Sequence, residues 1–242
     1  MKQVLVIGES CRDIFVYCNT LRLCPDVPVP VLNVQNQTEN GGMAKNVQRN
    51  IESYIPGCDL ITNSDWYNIT KTRYIHGASN HMFFRVDTPH IIPRINMEDI
   101  NFDYDLVVVS DYNKGFLLKE DIALICNSHP NVFLDTKKVL GPWANNAAYI
   151  KINDYEYQNS RPYITPKLAN KIIHTTGANG CEFGDKLYPV NVVDVKDTSG
   201  AGDSFMAALV VEYCRSADIE ESIKFANKCA SEVVKQKGVS VI

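Results

Sequence analysis

The sequence predicts an α/β fold around a mostly parallel β-sheet, because two features of the chain occur together. Short apolar or β-branched runs alternate with stretches of helical character, and turn or polar residues follow most of these runs. The predicted strands cover residues 4–7, 106–109, 132–134 and 172–175. Parallel sheets bind ligands at the carboxyl ends of their strands. We therefore expect a site close to the residues that follow them, which are Gly8, Ser110, Asp111, Asp135, Thr176 and Gly177.

Composition predicts one large globular domain spanning residues 1–242. The chain is 45% hydrophobic and 21% charged, and a domain of this length buries roughly 70–75% of its unfolded surface. A net charge of −4 argues against a nucleic-acid partner, because nucleic-acid phosphates require a basic surface. Any phosphate group must therefore be bound by local features.

The cysteines and apolar runs predict a cytoplasmic protein. No apolar run approaches the roughly 18 residues of a membrane span, and the first strand starts too early for a signal peptide to precede it. None of the eight cysteines forms a CxxC pair, and Cys11, Cys18 and Cys24 are spaced too irregularly for a zinc site. Reduced thiols are typical of the cytoplasm. We expect small-molecule ligands and no membrane partner.

Residues 197–205, DTSGAGDSF, are the most informative stretch of the chain. Gly200, Ala201 and Gly202 lack bulk, so the backbone can turn tightly and direct its amides into a cleft. The apolar run 205–211 contains no Gly or Pro, which predicts that a buried helix begins at this turn. The free amides and partial positive charge at a helix start stabilise phosphoryl oxygens. The stretch therefore predicts a phosphoryl-transfer centre.

Asp203 lies at the mouth of this predicted cradle, where its carboxylate can take the proton of an attacking hydroxyl. The helix start is expected to keep the carboxylate ionised and therefore weakly basic, which suffices because phosphoryl transfer depends mainly on positioning. An alternative interpretation is a glycine-rich helix start with Asp203 as an ordinary acid of the first turn.

Two further strand pairs are predicted outside the main sheet. They consist of residues 15–17 with 29–34, and of residues 70–75 with 82–86, joined by Pro-rich or Gly- and Asn-containing connections. A sheet of this kind leaves an unpaired edge and an apolar face, so we expect a homodimer.

DTSGAGDSF resembles the signature of the ribokinase, or PfkB, family of sugar and nucleoside kinases, and Asp203 falls on the catalytic base of that family. Segments along the whole chain also resemble, in order, the heptose-phosphate kinase branch, which is the kinase half of the bifunctional ADP-heptose enzyme. These segments are VLVIGESCRDIF, LRLCPDVPVPVLNV, GGMAKNVQRNI, TKTRYI, HMFFRVD, VVVSDYNKG, VFLDTKK, KINDYEY, TTGANG and ANKCASEVVKQKGVSVI.

The resemblance implies a ribokinase-like three-layer fold with a small β lid, formed by strands within residues 12–40 and 70–92. It also implies an ATP-dependent sugar kinase that transfers the γ-phosphate to a hydroxyl of a sugar or sugar phosphate, with a heptose phosphate as the acceptor of the similar branch. ATP and Mg²⁺ are the implied cofactors, and the lid strands imply pairing between subunits. Two alternatives stay open: a non-catalytic nucleotide or sugar regulator and a nucleoside kinase.

Several polar residues predict the sugar side of the site. Asp13 follows the first strand, where a carboxylate accepts hydrogen bonds from two sugar hydroxyls, or alternatively caps a loop. In GGMAKNV, Gly41 and Gly42 permit close backbone approach and Asn46 can donate and accept. Cations on the lid strands are predicted to hold a second phosphate, or alternatively are solvated edge charges. They are Lys71, Arg73 and Arg85, with Lys114 as a further candidate unless its segment is only a turn.

Other residues predict the nucleotide side. Asn153 and Glu156 resemble the N-x-x-E motif of the family and lie three residues apart at a helix start, where they can hold waters of Mg²⁺. A helix-capping pair explains the same two residues equally well. The segment with Thr176, Gly177 and Gly180 resembles the one that passes the ATP phosphates and ribose, and Asn227 and Val239 resemble the adenine edge.

The chain departs from the family at defined places. Met43 stands where the family has a second glycine, Thr136 replaces Pro in the D-P-K pattern, and the connections 53–70 and 158–171 are short. No histidine lies in the H-x-G-H signature of an adenylyltransferase half. A Rossmann oxidoreductase is weakly suggested by TGANG, but no G-x-G-x-x-G follows the first strand.

Overall fold

The computed structural model describes residues 2–98 and 100–238. Within this part of the chain, twelve strands and six helices are numbered in chain order. The strands are β1 (Val4–Gly8), β2 (Ser10–Leu23), β3 (Pro30–Met43), β4 (Asp59–Ile61), β5 (Thr70–His76), β6 (Met82–Asp87), β7 (Leu106–Asp111), β8 (Val132–Thr136), β9 (Tyr149–Asn153), β10 (Ile172–Thr175), β11 (Cys181–Phe183) and β12 (Lys186–Tyr188). The helices are α1 (Ala44–Glu52), α2 (Lys119–Ser128), α3 (Asp154–Ser160), α4 (Pro166–Ala169), α5 (Ala201–Ser216) and α6 (Ile219–Val233).

The main sheet confirms the predicted mostly parallel architecture. Its described strands follow the order β12-β11-β10-β9-β8-β7-β1-β4. All pairs from β4 to β10 are parallel, and only β11 and β12 are antiparallel. Because parallel strands are covered on both faces, β1 and β7 consist of buried side chains throughout.

Helices cover both faces of this sheet and complete three layers. One apolar cluster joins alternate residues of β1 and β7 to α1, α5 and α6. A second cluster joins the other residues of the same strands to α2 and α4. This alternation follows from the two-residue period of a strand, which sends neighbouring side chains to opposite faces. This is the three-layer α/β arrangement that the sequence predicts.

The second sheet contains the four predicted outer strands, although residues 15–17 pair with 36–38 and not with 29–34. Its order is β3-β2-β5-β6, with β2 antiparallel to β3, parallel to β5, and β5 antiparallel to β6. Strands β2 and β3 are each 14 residues long and extend well beyond the predicted runs. Polar residues interrupt the apolar pattern at their ends, so the pattern alone underestimates their length.

Four strands of the main sheet were not predicted. The short connection 53–70 retains a three-residue edge strand, β4, although it has no helix of the usual length. Strands β11 and β12 are also three residues long, too short for a periodic signal. Strand β9 lacks an apolar pattern because Lys151 and Asn153 lie within it. None of the described helices has the length and hydropathy that crossing a bilayer requires.

Replacing Gly8 by alanine should destabilise the fold. A Cβ atom at Gly8 would lie 1.9 Å from the main-chain oxygen of Ser110, its partner in the parallel pair of β1 and β7. Overpacking of this kind costs about 1–3 kcal/mol, so urea unfolding should show a lower free energy of unfolding for Gly8→Ala. Gly77→Ala is the control, because a Cβ there would meet no atom closer than 3.8 Å. Equal stability of both variants would contradict the packing at Gly8.

Candidate active site

A cavity of about 590 Å³ lies at the carboxyl ends of β8, β9 and β10 and at the start of α5. This is the edge of the sheet where the sequence predicts a ligand site. Residues from every predicted group of the nucleotide side contribute to its wall. They include Asn153, Gly177, Gly180, Gly200, Ala201, Gly202, Asp203 and Asn227.

The start of α5 has the backbone geometry of an anion cradle. Gly200 precedes the helix with φ of 77°, a left-handed conformation that favours glycine. The amide of Ala201 donates to the Thr198 carbonyl oxygen at 3.2 Å. The amides of Gly202 and Asp203 belong to the first turn, where a helix offers no carbonyl partner of its own. These amides are therefore suited to bind an anion in the cavity.

Two side chains from distant segments hold the carboxylate of Asp203. The Asn46 side-chain amide donates to Oδ2 at 2.9 Å, and the Tyr112 hydroxyl donates to Oδ1 at 2.5 Å. Only 7% of Asp203 is exposed. The carboxylate therefore has one fixed orientation at the mouth of α5, and two of its roughly four acceptor directions are used.

The expectation that the helix start makes Asp203 weakly basic is wrong in direction. Burial raises the pKa of Asp203 above that of an ordinary aspartate, although the hydrogen bonds from Asn46 and Tyr112 oppose this rise. Desolvation penalises the charged carboxylate more strongly than the two donors stabilise it. Asp203 is therefore a stronger base than the helix start alone would make it.

A chain of buried and partly buried charges runs beside the cradle. Lys151 donates to Asp135 at 2.8 Å, and each of these side chains is 3% exposed. Lys137 lies 3.5 Å from Asp135 and 2.6 Å from Glu156. Burial opposes ionisation of Asp135, but Lys151 and Lys137 lower its pKa below the ordinary value. The pKa of Lys137 is raised because Asp135 and Glu156 outweigh its desolvation.

Lys151 brings positive charge directly to the cradle. A Cβ atom at Gly202 would lie 2.9 Å from the Lys151 ammonium nitrogen. Glycine at this position therefore leaves room for the ammonium beside the first turn of α5. Together, the ammonium and the helix amides favour an anion at this end of the cavity.

Asn153 and Glu156 form the capping pair that was one of the two interpretations of this motif. The Glu156 amide donates to Asn153 Oδ1, while the Asn153 amide and side chain donate to the two Glu156 carboxylate oxygens, all at 2.9 Å. Lys137 also binds this carboxylate. These contacts occupy about three of the roughly four acceptor directions of Glu156. Direct ligation of a metal would compete with Lys137, whereas one contact to a metal-bound water remains available.

The second sheet supplies the predicted sugar-side residues. Asp13 on β2 forms a close ion pair with Arg73 on β5, and Lys71 is its direct neighbour in the register of these strands. Arg85 lies opposite Arg73 but binds Asp87, and 46% of its side chain is exposed. Burial is the main reason that the pKa of Arg73 is lowered, and Arg85 adds to it.

Gly41, Gly42 and Met43 end strand β3 at the start of α1. A Cβ atom at Gly42 would lie 3.0 Å from Cys11 Sγ and 3.3 Å from Asp13 Cβ, so this glycine allows close approach. Met43 has φ of 62° and ψ of −132°, a conformation that favours glycine. The backbone therefore keeps the glycine-type shape although the side chain departs from the family. The Met43 sulfur accepts from the Lys71 ammonium at 3.1 Å.

The remaining nucleotide-side predictions have different outcomes. Gly177 and Gly180 line the cavity, whereas Thr176 binds the Gly180 carbonyl oxygen through its amide and hydroxyl. Asn227 lines the cavity and donates to the Tyr188 carbonyl oxygen at 2.8 Å. Val239 lies outside the described residues. An apolar wall faces these groups, formed by Val190, Val192, Val193 and Val195.

Sequence reasoning missed several site residues. Lys137, Lys151 and Tyr112 line the cavity, yet none was predicted as a site residue. Tyr112 and Lys137 each directly follow a strand of the main sheet, and that position was the available signal, whereas Lys151 lies in the middle of β9. The side chain of Lys114 is exposed, and its segment forms a turn with positive φ at Asn113 and Gly115. The structure therefore favours the turn interpretation for Lys114.

Comparison with known proteins finds a matching family model and several proteins of similar sequence. Residues 124–241 match the model of the pfkB family carbohydrate kinase. The bifunctional protein HldE of Helicobacter pylori strain Shi470 is 28% identical over 98% of this chain, and that of Campylobacter fetus is 26% identical over the same share. The chain spans 64% of the length of these curated relatives. The first alignment has 298 positions, more than the 242 residues of this chain, so the chain lacks segments that the relative carries.

Solved structures share the fold at low sequence identity. A ribokinase from Thermotoga maritima superposes with a TM-score of 0.73 at 16% identity, covering 99% of this chain and 95% of that chain. A nucleoside kinase from Methanocaldococcus jannaschii gives a TM-score of 0.69 at 15% identity, covering 98% and 93%. Residues 124–241 are therefore similar to pfkB family carbohydrate kinases, and the chain as a whole has a ribokinase-like fold.

Proposed function

We propose that this chain is an ATP-dependent sugar kinase whose catalytic base is Asp203. The observation that carries the proposal is the buried Asp203 carboxylate, held by two donors at the mouth of α5, with the Lys151 ammonium beside the same turn. The cavity in front of it is large enough for a ligand of small-molecule size. A carboxylate next to an anion cradle is the arrangement that phosphoryl transfer to a hydroxyl requires.

In the proposed reaction, the acceptor hydroxyl gives its proton to Asp203 while its oxygen forms a bond to the γ-phosphorus. The bond between that phosphorus and the bridging oxygen breaks, and ADP leaves with the bonding electron pair. The first-turn amides and Lys151 stabilise the negative charge on the transferring phosphoryl oxygens. The raised pKa of Asp203 favours proton uptake at this step.

The nucleotide is proposed to lie along the remainder of the cavity. Gly177 and Gly180 leave space for phosphate and ribose, and the apolar wall around Val193 suits the adenine ring. Asn153 and Glu156 would hold Mg²⁺ through water, because the carboxylate keeps one acceptor direction. Mg²⁺ would neutralise charge on the ATP phosphates. Turnover that persists in excess EDTA would contradict this assignment.

The acceptor is proposed to be a sugar phosphate, with a heptose phosphate suggested by the similarity to HldE. Lys71 and Arg73 lie on one face of β5, and the Lys71 ammonium lies 5.3 Å from the centre of the Tyr112 ring, close to Asp203. A cation at this distance can hold a second phosphate while the hydroxyl of the same sugar reaches the base. Asp13, Gly42 and Asn46 would then contact the sugar itself.

The second sheet is proposed to act as a lid within the single domain of residues 1–242, and to pair with a second copy of the chain. Met82, Phe84 and Val86 on β6 are each about half exposed, and Val34 on β3 is 59% exposed. An apolar face of this kind is costly in water, and burying it against an identical face removes the cost.

All eight cysteines lie within the described residues as free thiols, which supports the proposed cytoplasmic setting.

Asp203→Asn should abolish most turnover and leave ATP binding intact. Loss of a general base reduces kcat by about 10²–10⁴-fold. The pKa of Asp203 is raised in the folded state, so its ionisation lowers the stability of the fold as the pH rises through this folded-state pKa. Asparagine cannot ionise and therefore removes this loss of stability at neutral pH. We expect an equal or higher melting temperature. Coupled ADP release, ATP titration calorimetry and thermal melting measure the three quantities.

Lys151→Met is the comparison for that experiment. It removes a cation from the cradle but leaves the base, so ATP affinity and kcat should both fall. Near-wild-type turnover of Asp203→Asn would refute its assigned role. A wild-type chain that binds ATP but shows no transfer to any sugar would instead favour a nucleotide-binding regulator.

Lys71→Met should weaken the use of phosphorylated sugars selectively. Loss of one charged hydrogen bond is worth about 1.5–3 kcal/mol, so KM for a heptose phosphate should rise by roughly tenfold or more. The KM for ATP should stay unchanged. Lys224→Met is the matched control, because Lys224 pairs with Glu221 on the exposed surface of α6. A wild-type enzyme that uses free and phosphorylated heptoses equally would contradict the second phosphate site.

Phe84→Asp should shift the chain from dimer to monomer. The substitution puts a charge in the face proposed to be buried between two copies, and sedimentation velocity measures the resulting mass. Leu124→Asp is the control, because Leu124 is 49% exposed on α2, away from the second sheet. A wild-type chain that sediments as a monomer at all concentrations tested would contradict pairing through this sheet.

A further inference from the structure

The loop that follows β7 is anchored by a buried acid at the end of β1. Glu9 is fully buried, and its two carboxylate oxygens accept from the amides of Tyr112 and Lys114, both at 2.8 Å. No basic side chain among the described residues forms an ion pair with Glu9. Burial and the nearby Asp111 raise the pKa of Glu9. Because this buried carboxylate accepts from two amides of the loop, it fixes the position of the loop.

The same residue also anchors the helix that bears Asn46. The main-chain oxygen of Glu9 accepts from the amide of Ala44, the first residue of α1, at 2.9 Å. Asn46 lies two residues further on and donates to Asp203. Both side chains that hold Asp203 therefore come from segments tied to Glu9.

Tyr112 has a fixed place between these groups. Its backbone is held by Glu9, its hydroxyl reaches Asp203 at 2.5 Å, and the ammonium groups of Lys71 and Lys137 lie 5.3 and 5.4 Å from its ring centre. Cations at this distance from an aromatic ring attract it. The ring therefore has attractive contacts with both lysines, and its hydroxyl has one direction in which to donate.

We infer that Tyr112 is a positioning residue for phosphoryl transfer, whose hydroxyl, anchored through Glu9, orients Asp203 towards the acceptor hydroxyl. This inference rests on the proposed role of Asp203 as the base. Tyr112 occupies one acceptor direction of Oδ1, so the remaining lone pairs face the cavity in a fixed orientation. The same hydrogen bond lowers the pKa of Asp203 against the effect of burial.

The test is the pH dependence of kcat/KM in Tyr112→Phe. Without the hydroxyl, Asp203 loses a donor that stabilises its charged form, so its pKa rises. Since the base must be ionised, the acidic limb of the profile should move to higher pH by about one pH unit. Turnover at neutral pH should fall by about tenfold or more, because the carboxylate is no longer held in one orientation.

Tyr104→Phe is the matched control. The Tyr104 hydroxyl also donates to an aspartate, Asp59, at 2.8 Å, but this pair lies at the opposite end of β7 from the site. Its removal changes stability without touching the base, so the acidic limb should stay at the wild-type pH. An acidic limb that stays in place in Tyr112→Phe as well would overturn the inference.

Incorporation of 3-fluorotyrosine at position 112 keeps the test decisive if Tyr112→Phe does not fold. The fluorinated ring has nearly the same shape and a more acidic hydroxyl, which is a stronger donor, so the acidic limb should move to lower pH. An unchanged limb would again overturn the inference. Absence of any phosphoryl transfer by the wild-type chain would instead refute the proposed function, so the two failures are distinct.

Discussion

Desolvation of the Asp203 carboxylate is the constraint on which the rest of the site depends. A carboxylate removed from water is costly unless donors replace the lost hydration. Here the donors come from Asn46 and Tyr112, which lie 157 and 91 residues away along the chain. The fold must therefore bring the start of α1 and the loop after β7 to the first turn of α5. The close approach of β1 and β7 at Gly8 places both segments there.

A second carboxylate beside the site, that of Asp135, is also removed from water and needs compensation. Asp135 lies at the end of β8, and Lys151 and Lys137 compensate its charge from the neighbouring strand and the following turn. Buried ion pairs seldom stabilise a fold more than apolar residues of the same size would. Their concentration beside the cradle is therefore better explained by ligand charge than by stability.

Contacts at the tip of the β5–β6 hairpin connect the second sheet to the segments on either side of α5 and α6. The Asn80 side chain donates to the Lys196 carbonyl oxygen, and the Lys237 ammonium donates to the Gly77 carbonyl oxygen. Asp197 accepts from the amides of Ser199 and Gly238 on either side of this junction. The second sheet is thus joined to the segment that leads into α5. In the proposed function, a sugar held by the second sheet and a phosphate held at the start of α5 would meet at Asp203.

Features that depend on local pattern could be predicted from the amino-acid sequence. Apolar runs specified four central strands, the small residues before Phe205 specified where α5 begins, and the resemblance of the same stretch singled out Asp203. Local preference is sufficient there, because strand burial and a tight helix start depend on neighbouring residues. Local pattern did not predict β9, because Lys151 interrupts its apolar run. This lysine pairs with Asp135 beside the cradle.

The chemistry of the site depends on contacts that form when the chain folds. The partners of Asp203, the direction of its pKa shift, and the place of Lys151 beside Gly202 all depend on contacts between segments far apart in the chain. The helix start predicts a lowered pKa, whereas burial raises it, and burial is a property of the packed molecule. A sequence shows which groups can ionise, but the distances that set their interaction energies exist only after folding.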